Sequence, residues 1–296
     1  MTVLKIMKQF SLPKPVKLAL WAVIALCAGA FAHPALADGL GMAHDWQLGF
    51  QDAASPVAER MHWFHHILLY IISGICALVF MLLLIVIVRF NAKANPVPST
   101  RTHNVVLEVI WTVVPVVILV IIAVPSMSLL YYGDRTAKPD MTLKVTGYQW
   151  YWGYEYPSFD GLSYLSNYIH EKDIDKSKGQ EYLLSVDNPL VLPVDTNVQI
   201  IVTAQDVIHD FSVPSFGVKI DAIPGRLNET WVRITKPGSY YGQCDQLCGQ
   251  NHAFMPIEVR AVPKDEFKAW AVAAAKNYVS YDQFEAGRPH AAETAQ

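Results

Sequence analysis

Two long runs without a charged residue, Ile67 to Val88 and Val109 to Leu130, set the first limit on what this chain can become. At about 1.5 Å rise per residue, each reaches roughly 33 Å as a helix, enough to cross a hydrocarbon core of about 30 Å. Pro115 and Pro125 fall in the second run, and spanning helices tolerate proline where neighbouring groups re-satisfy the backbone. Two such runs in series point to a membrane hairpin, with spans at 66–90 and 105–132, and away from two buried core helices. Composition agrees: 52% of the 296 residues are apolar and only 17% charged, and the apolar excess lies before Tyr132. The link at 91–104, with Lys93 and Arg101 in it and Arg89 beside it, keeps its cations close to both spans. By the positive-inside rule the link is cytoplasmic and both flanking segments face the opposite compartment.

The N-terminus argues for the same topology. Lys5, Lys8, Lys14 and Lys17 precede or border an apolar stretch from Leu18 to Phe31, and Ala35-Leu36-Ala37 places small residues at signal-peptidase spacing. Residues 1–37 are therefore expected to be a signal peptide cleaved before Asp38, with an uncleaved anchor as the alternative. Residues 38–65 then form an external N-terminal segment in an oxidising compartment. A net charge of −3 gives a general nucleic-acid role no electrostatic support.

After Tyr132 the pattern changes. Thr142–Trp150, Val198–Thr203, Thr230–Thr235 and Ile257–Val262 alternate apolar and polar residues. Asp187-Asn188-Pro189, Ile223-Pro224-Gly225 and Lys236-Pro237-Gly238 read as turns between such segments. This predicts an antiparallel all-β sandwich or barrel over 133–262. Pro263 to Val279 is expected to be a helix, and the polar tail after Ser280 a mobile one.

The cysteines narrow the chemistry. Cys27 lies in the signal segment and Cys76 in the first span, which leaves Cys244 and Cys248 for the external domain. Taken alone, these two read as a disulfide. They stand, however, in Cys244-Asp-Gln-Leu-Cys248-Gly-Gln-Asn-His252-Ala-Phe-Met255-Pro256, with a second imidazole upstream at His209. Soft sulfur donors with imidazoles and a weak thioether suit copper in an electron-transfer site, and two cysteines can bridge two copper ions. Zinc is the competing metal, but the methionine and the His-to-Cys order do not resemble a zinc finger. In the run Gln149–Tyr156, Trp150 reads either as an exposed aromatic that docks a redox partner or as one residue of a packed strand face shared with Trp152 and Tyr154.

With these residues in place, the chain resembles subunit II of the haem–copper cytochrome c oxidases, from about Trp46 to about Val279. The resemblance rests on the Cys-x3-Cys-x3-His-x2-Met-Pro motif, the upstream histidine and the aromatic run. It implies two transmembrane helices followed by a cupredoxin-like Greek-key domain that holds the dinuclear copper centre CuA. That centre would accept electrons from cytochrome c and pass them to haem in subunit I. Carried over, the copper ligands are His209, Cys244, Cys248, His252, Met255 and the main-chain carbonyl of Gln246. Glutamate is usual in the family at that last position, where its side chain binds a magnesium ion shared with subunit I. Gln246 keeps the carbonyl but offers only an amide oxygen to a hard cation, which puts the magnesium site in doubt.

The same resemblance makes Trp150 the residue where electrons enter, and Glu155, Asp187 and Asp206, with Asp160 behind them, the acids that dock a basic cytochrome c. Glu108, in His103-Asn104 through Glu108 to Trp111, matches the glutamate at the mouth of a proton-uptake channel. Charge alone would make it a snorkelling end-group. Asp221 and Arg226 match a stretch facing subunit I, where they would hold a ligand histidine from behind or form an intersubunit ion pair. His62, His65 and His66, just before the first span, are read as interfacial residues and not as a metal cluster. The chain has no Cys-x-x-Cys-His haem motif, so haem and oxygen chemistry would belong to a larger membrane partner. A copper-free quinol-oxidase subunit, a nitric-oxide-reductase subunit and a disulfide-stapled binding domain remain as alternatives.

Overall fold

The structure is a computed structural model and describes residues 41–134 and 138–287; the signal-peptide reading of 1–37 lies outside these residues. Helix α1 covers Pro56–Arg89 and helix α2 covers Val105–Asp134. Both are long and apolar enough to cross a membrane. They pack against one another as the expected hairpin. Asn104 starts α2, its Oδ1 accepting from the amides of Val106 and Leu107. That is the capping role asparagine fills well. At the other end of the link, the Asn91 side chain donates to the last free carbonyls of α1, those of Ile87 and Val88.

Helix α1 begins well before the apolar run that announced it. Ser55 caps it, its Oγ accepting from Ala58 N at 3.0 Å, and Pro56 occupies the first turn, where no amide is missed. The Ser55 hydroxyl also donates to the Phe216 carbonyl at 2.6 Å, and Val57 and Ala58 are buried against the β domain. Of the expected segment 38–65, the described residues 41–55 are irregular and the helix takes over from Pro56, because burial against the sandwich supports a turn that membrane hydropathy does not register. The far end of α2 is tied down as well. Trp231 donates from Nε1 to the Tyr132 carbonyl at 3.3 Å, and the Arg60 guanidinium lies 3.4 Å above the Tyr132 ring.

The β domain is a sandwich of two five-stranded sheets. Its strands are β1 (Met141–Tyr148), β2 (Tyr151–Tyr156), β3 (Leu162–Ser166), β4 (Leu190–Pro193), β5 (Val198–Ala204), β6 (His209–Val213), β7 (Val218–Ala222), β8 (Asn228–Val232), β9 (Gly238–Cys244) and β10 (Pro256–Val262). The sheet orders are β3-β2-β1-β5-β8 and β4-β10-β9-β6-β7. Alternation in β1 and β5 turns Leu143, Val145, Val198, Ile200 and Val202 inward, where each is essentially inaccessible.

One expectation needs correcting. The sandwich is not wholly antiparallel, since β1 pairs with β5 and β10 with β4 in parallel. The chain leaves one sheet for the other after β3 and returns at β5, and such crossovers bring parallel strands together. The result is the cupredoxin-like architecture that the resemblance implied.

A second correction concerns the end of the chain. Helix α3 (Lys264–Lys276) buries Phe267, Trp270, Ala271 and Ala274 on one face, the spacing of an amphipathic helix. The chain after Ser280 then forms a further short helix, α4 (Tyr281–Gly287). Tyr281 and Phe284 of α4 pack on the core and Ser280 is buried. Small polar residues hid two aromatic anchors in a stretch expected to be mobile.

Candidate metal centre

The candidate ligands converge because of one strand pairing. Strand β6 lies beside β9 with Phe211 opposite Cys244, which brings His209, far away in sequence, next to the loop 245–255. Among the described residues, His209, Cys244 and Cys248 are the one group of histidine, cysteine and acid side chains gathered tightly enough to hold a metal ion, with ligand atoms within 4.8 Å of one another. The two sulfurs are 3.8 Å apart and both thiols are free. His209 Nδ1 lies 3.9 Å from Cys244 Sγ, and the Gln246 carbonyl oxygen 3.3 Å from the same sulfur. Around Cys248 Sγ stand His252 Nδ1 at 3.4 Å and Met255 Sδ at 3.5 Å.

The four other expected donors therefore surround one pair of sulfurs, which completes the set of six. Two thiolates, two imidazoles, a thioether and a carbonyl form the mixed soft set that copper favours, so the residues present fit that metal. In the metal-free protein, burial first and then the neighbouring Cys244 push the Cys248 thiol up to about 12. Metal binding must therefore displace a proton that this pocket holds firmly.

The pocket is supported from outside. Trp152, fully buried, donates from Nε1 to the Met255 carbonyl at 3.2 Å, and that carbonyl also accepts from Cys244 N at 3.4 Å. The His209 ring is closed off from solvent, and Trp152 meets it edge-on at 6.0 Å. Gly147 of β1 lies flat against that ring. A Cβ there would come within 2.9 Å of His209 Cδ2. The sequence reading named neither Gly147 nor the support given by Trp152; a glycine interrupting the alternation of β1 was the one available signal.

Trp150 separates from Trp152 and Tyr154. It sits in the turn between β1 and β2, so the strand parity that buries the other two does not govern it. Its half-buried indole packs where a side chain on Gly249 would be, 3.1 Å from that Cβ position, and Gly249 follows Cys248 in the chain. Its Nε1 is buried without a hydrogen-bond partner.

The expected docking acids divide. Glu155 pairs with Lys144 across β1 and β2 at 2.9 Å and lies roughly 16 Å along the strand from Trp150. Asp160, in the turn after β2, is farther along still. Asp187 is exposed, and its carboxylate accepts from the Asn167 amide at 2.7 Å and from the Asn167 side chain at 3.1 Å. Asp206 reaches the centre itself: it accepts from His209 Nε2 at 2.9 Å and from Gln149 N and Val207 N, each at 2.7 Å. Burial acts to raise its carboxyl, but these bonds outweigh it and hold the group below the usual range.

Asp221 and Arg226 are exposed, and Asp221 faces Asp210 across β6 and β7. The contact with a ligand histidine that was considered for Asp221 is made instead by Asp206. Asp210, which the sequence reading did not single out, is buried with one oxygen unpaired. Burial first, eased by Lys219, and then Asp221 and Asp245 raise its carboxyl to about 6.

Magnesium fits less well than copper. The Gln246 side chain is exposed and neutral, and the adjacent Asp245 is paired with Lys219. His62 stacks on Phe50, His65 meets the same ring at a tilt, and His66 Nδ1 meets the His62 carbonyl at 2.7 Å, which leaves them outside the gathered group. Glu108 stands half-buried in the first turn of α2.

Comparison with known proteins adds an independent line. Residues 141–262 match the family model described as cytochrome C oxidase subunit II, periplasmic domain, and residues 43–129 match its transmembrane domain. Among solved structures, the periplasmic domain of subunit II of cytochrome oxidase from Bradyrhizobium japonicum is 48% identical, covering 49% of this chain and 100% of that one, with a TM-score of 0.45. A Rickettsia prowazekii protein named "Probable cytochrome c oxidase subunit 2" is 53% identical over 225 residues, 76% of this chain and 71% of its own length. The cytochrome c oxidase subunit 2 of Phytophthora megasperma is 44% identical over 248 residues, 82% of this chain and 91% of its own. Matches of this identity and extent, falling on both the helical hairpin and the sandwich, mean that the chain belongs to the cytochrome c oxidase subunit II family.

Proposed function

We propose that the chain is the electron-input subunit of a respiratory terminal oxidase of the haem–copper type, taking electrons from cytochrome c for delivery to haem in a larger partner subunit that reduces oxygen to water. The observation that carries this reading is the convergence of four copper-suited donors on one pair of free sulfurs, six donors in all, in a domain joined to two membrane-spanning helices. His209, Cys244, Cys248, His252, Met255 and the Gln246 carbonyl would hold two copper ions. Bound there, such a centre supplies one-electron redox exchange.

The chain's own residues do the rest. Strands β6 and β9 place His209 and Cys244, and the loop between β9 and β10 holds the other donors beside them before metal arrives, so little rearrangement accompanies a change of charge. Trp150, half-exposed and packed against Gly249, the residue after Cys248, is the residue through which an external donor makes contact. Asp187, exposed at the same end of the sheet, offers negative charge to a basic donor, with Glu155 at a greater distance. Glu108 opens the membrane end of α2 to protons taken up by the partner subunit. In this reading the link 91–104 is cytoplasmic, and the copper domain lies on the periplasmic side of a bacterial inner membrane. The complete donor set favours this role over that of a copper-free quinol-oxidase subunit.

Copper content and the electron paramagnetic resonance spectrum of the full chain in detergent test the reading. Two copper ions per chain, with one unpaired electron shared equally between two nuclei, is the expected result. A colourless chain in which Cys244 and Cys248 do not titrate as thiols, while Cys76 still does, would mean a Cys244–Cys248 disulfide. If reduction and refolding with copper left it colourless, the electron-input role would be overturned.

A further inference from the structure

We propose that a column of aromatic side chains, Trp152, Tyr154, Tyr164 and Tyr278, carries oxidising equivalents through the core of the sandwich to the surface beside β3, where a soluble reductant removes them. The proposal rests on the electron-input reading of the chain, which sets thiolates to work beside oxygen chemistry. Reduced oxygen species oxidise cysteine and methionine, and Cys244, Cys248 and Met255 are what such damage would take first. Tryptophan and tyrosine give up a single electron more readily than the aliphatic side chains around them, so a run of such rings offers it a route.

Strand β2 turns Trp152, Tyr154 and Tyr156 inward, each almost wholly inaccessible and about 7 Å from the next along the strand. Trp152 is the end of this row beside the site, its ring centre 6.0 Å from that of His209. In the register of β2 with β3, Tyr154 lies opposite Tyr164, and their rings meet edge-on at 5.7 Å. Tyr164 then meets Tyr278, just beyond α3, at 4.8 Å, and Tyr278 is 36% exposed. Tyr156 and Trp270 flank the row, 6.1 and 6.2 Å from Tyr164. Packing alone does not call for phenols here. The Tyr154 hydroxyl lies near that of Ser166 but makes no hydrogen bond of ordinary geometry, and phenylalanine would fill the space without burying an unpaired polar group.

A hydroxyl radical formed from peroxide takes one electron from the Trp152 indole and, with a proton from solvent, becomes water. The indole regains an electron from Tyr278 by way of Tyr154 and Tyr164. The Tyr164 hydroxyl donates only to the Pro189 carbonyl, at 2.9 Å, and a carbonyl is too weak a base to keep the proton, so the radical does not settle there. Tyr278, open to water, sheds its phenolic proton to solvent and is left as a neutral radical. A soluble thiol gives that radical a hydrogen atom and becomes a thiyl radical. Each turn reduces one hydroxyl radical to water, oxidises one thiol and returns the chain unchanged.

The test uses the full chain in detergent, copper-loaded and reduced, so that added hydrogen peroxide takes one electron and yields hydroxide and a hydroxyl radical. Freeze-quenched paramagnetic spectra, a nitroso spin trap and mass spectrometry of the digested chain record where the radical rests and which residues are oxidised. The unsubstituted chain should trap the radical on Tyr278. Tyr164→Phe keeps Tyr278 in place but breaks the row, so trapping at Tyr278 should fall several-fold while oxidation of Trp152 and Met255 rises. Tyr278→Phe removes only a surface hydroxyl and should raise the same two oxidations. Tyr182→Phe, exposed but off the row, should change neither. Trapping at Tyr278 that stays the same in Tyr164→Phe would overturn the proposal, and so would Trp152 and Met255 remaining as intact in Tyr278→Phe as before. Should Tyr164→Phe not fold, Tyr278→Phe decides. Absence of copper from the unsubstituted chain is a separate failure, that of the electron-input reading, and is seen before peroxide is added.

Discussion

Gly147→Ala is the substitution whose outcome the site geometry defines most sharply. Gly147 is a buried strand residue with no left-handed backbone angle, so the chain itself accepts alanine there. Replacing glycine at such a position would ordinarily stabilise by about 0.4–1 kcal/mol through the unfolded chain. Here the new methyl would stand 2.9, 3.1 and 3.2 Å from Cδ2, Cγ and Cβ of His209, where ordinary contact begins at 3.4 Å. The ring cannot retreat, because Asp206 holds its Nε2 and the Trp152 indole stands at its edge. Overpacking of this kind costs about 1–3 kcal/mol, so the net expectation is a loss of about 1–2 kcal/mol.

Denaturant unfolding of the copper-free chain in detergent, followed by near-ultraviolet circular dichroism, measures that loss. The same substitution in a His209→Ala background supplies the decisive comparison. Removing the ring removes two of the three close contacts, so the cost of Gly147→Ala should fall to near zero. The coupling between the two sites should then be about 1–2 kcal/mol. Equal costs in both backgrounds would refute the claim that Gly147 is glycine because it faces a ligand ring.

Other consequences are open to simpler measurements. Ser55→Ala removes the cap of α1 and strands the buried Phe216 carbonyl, so the β domain should lose about 1–3 kcal/mol in a denaturant titration. Gly242→Ala would drive a methyl into the Ser212 carbonyl, on the strand pair that brings His209 to Cys244. Amide exchange in β6 and β9 should accelerate, and copper uptake should fall with it. Asp210 titrates at about 6 in the folded chain against 3.8 ordinarily, so folding disfavours its charged form. In the copper-free chain, stability should therefore decline as pH rises from about 4 to about 6, by as much as roughly 3 kcal/mol. Asp210→Asn should flatten that decline and be the more stable protein at pH 7, as unfolding curves across pH would reveal.

Much of the molecule was legible in the residues alone, for reasons that are local. Hydropathy and length do not depend on what packs where, so the two spans could be read directly from Ile67–Val88 and Val109–Leu130. The donors from Cys244 to Met255 share one loop, and their chemistry follows from residue type and spacing.

What the sequence left undecided depends on contacts between distant segments. The pairing of β6 with β9 alone brings His209 to the cysteines. Aromatic parity could not separate Trp150 from Trp152, because the difference comes from where β2 begins. Helix α1 starts at Pro56 because Val57 and Ala58 bury against the sandwich, and α4 forms because Tyr281 and Phe284 find the core. Asp206 carried a negative charge whose hydrogen-bond partners no residue pattern names. Only the folded chain shows which groups that carboxylate meets, since a hydrogen bond is set by distance and direction in space and a sequence specifies neither.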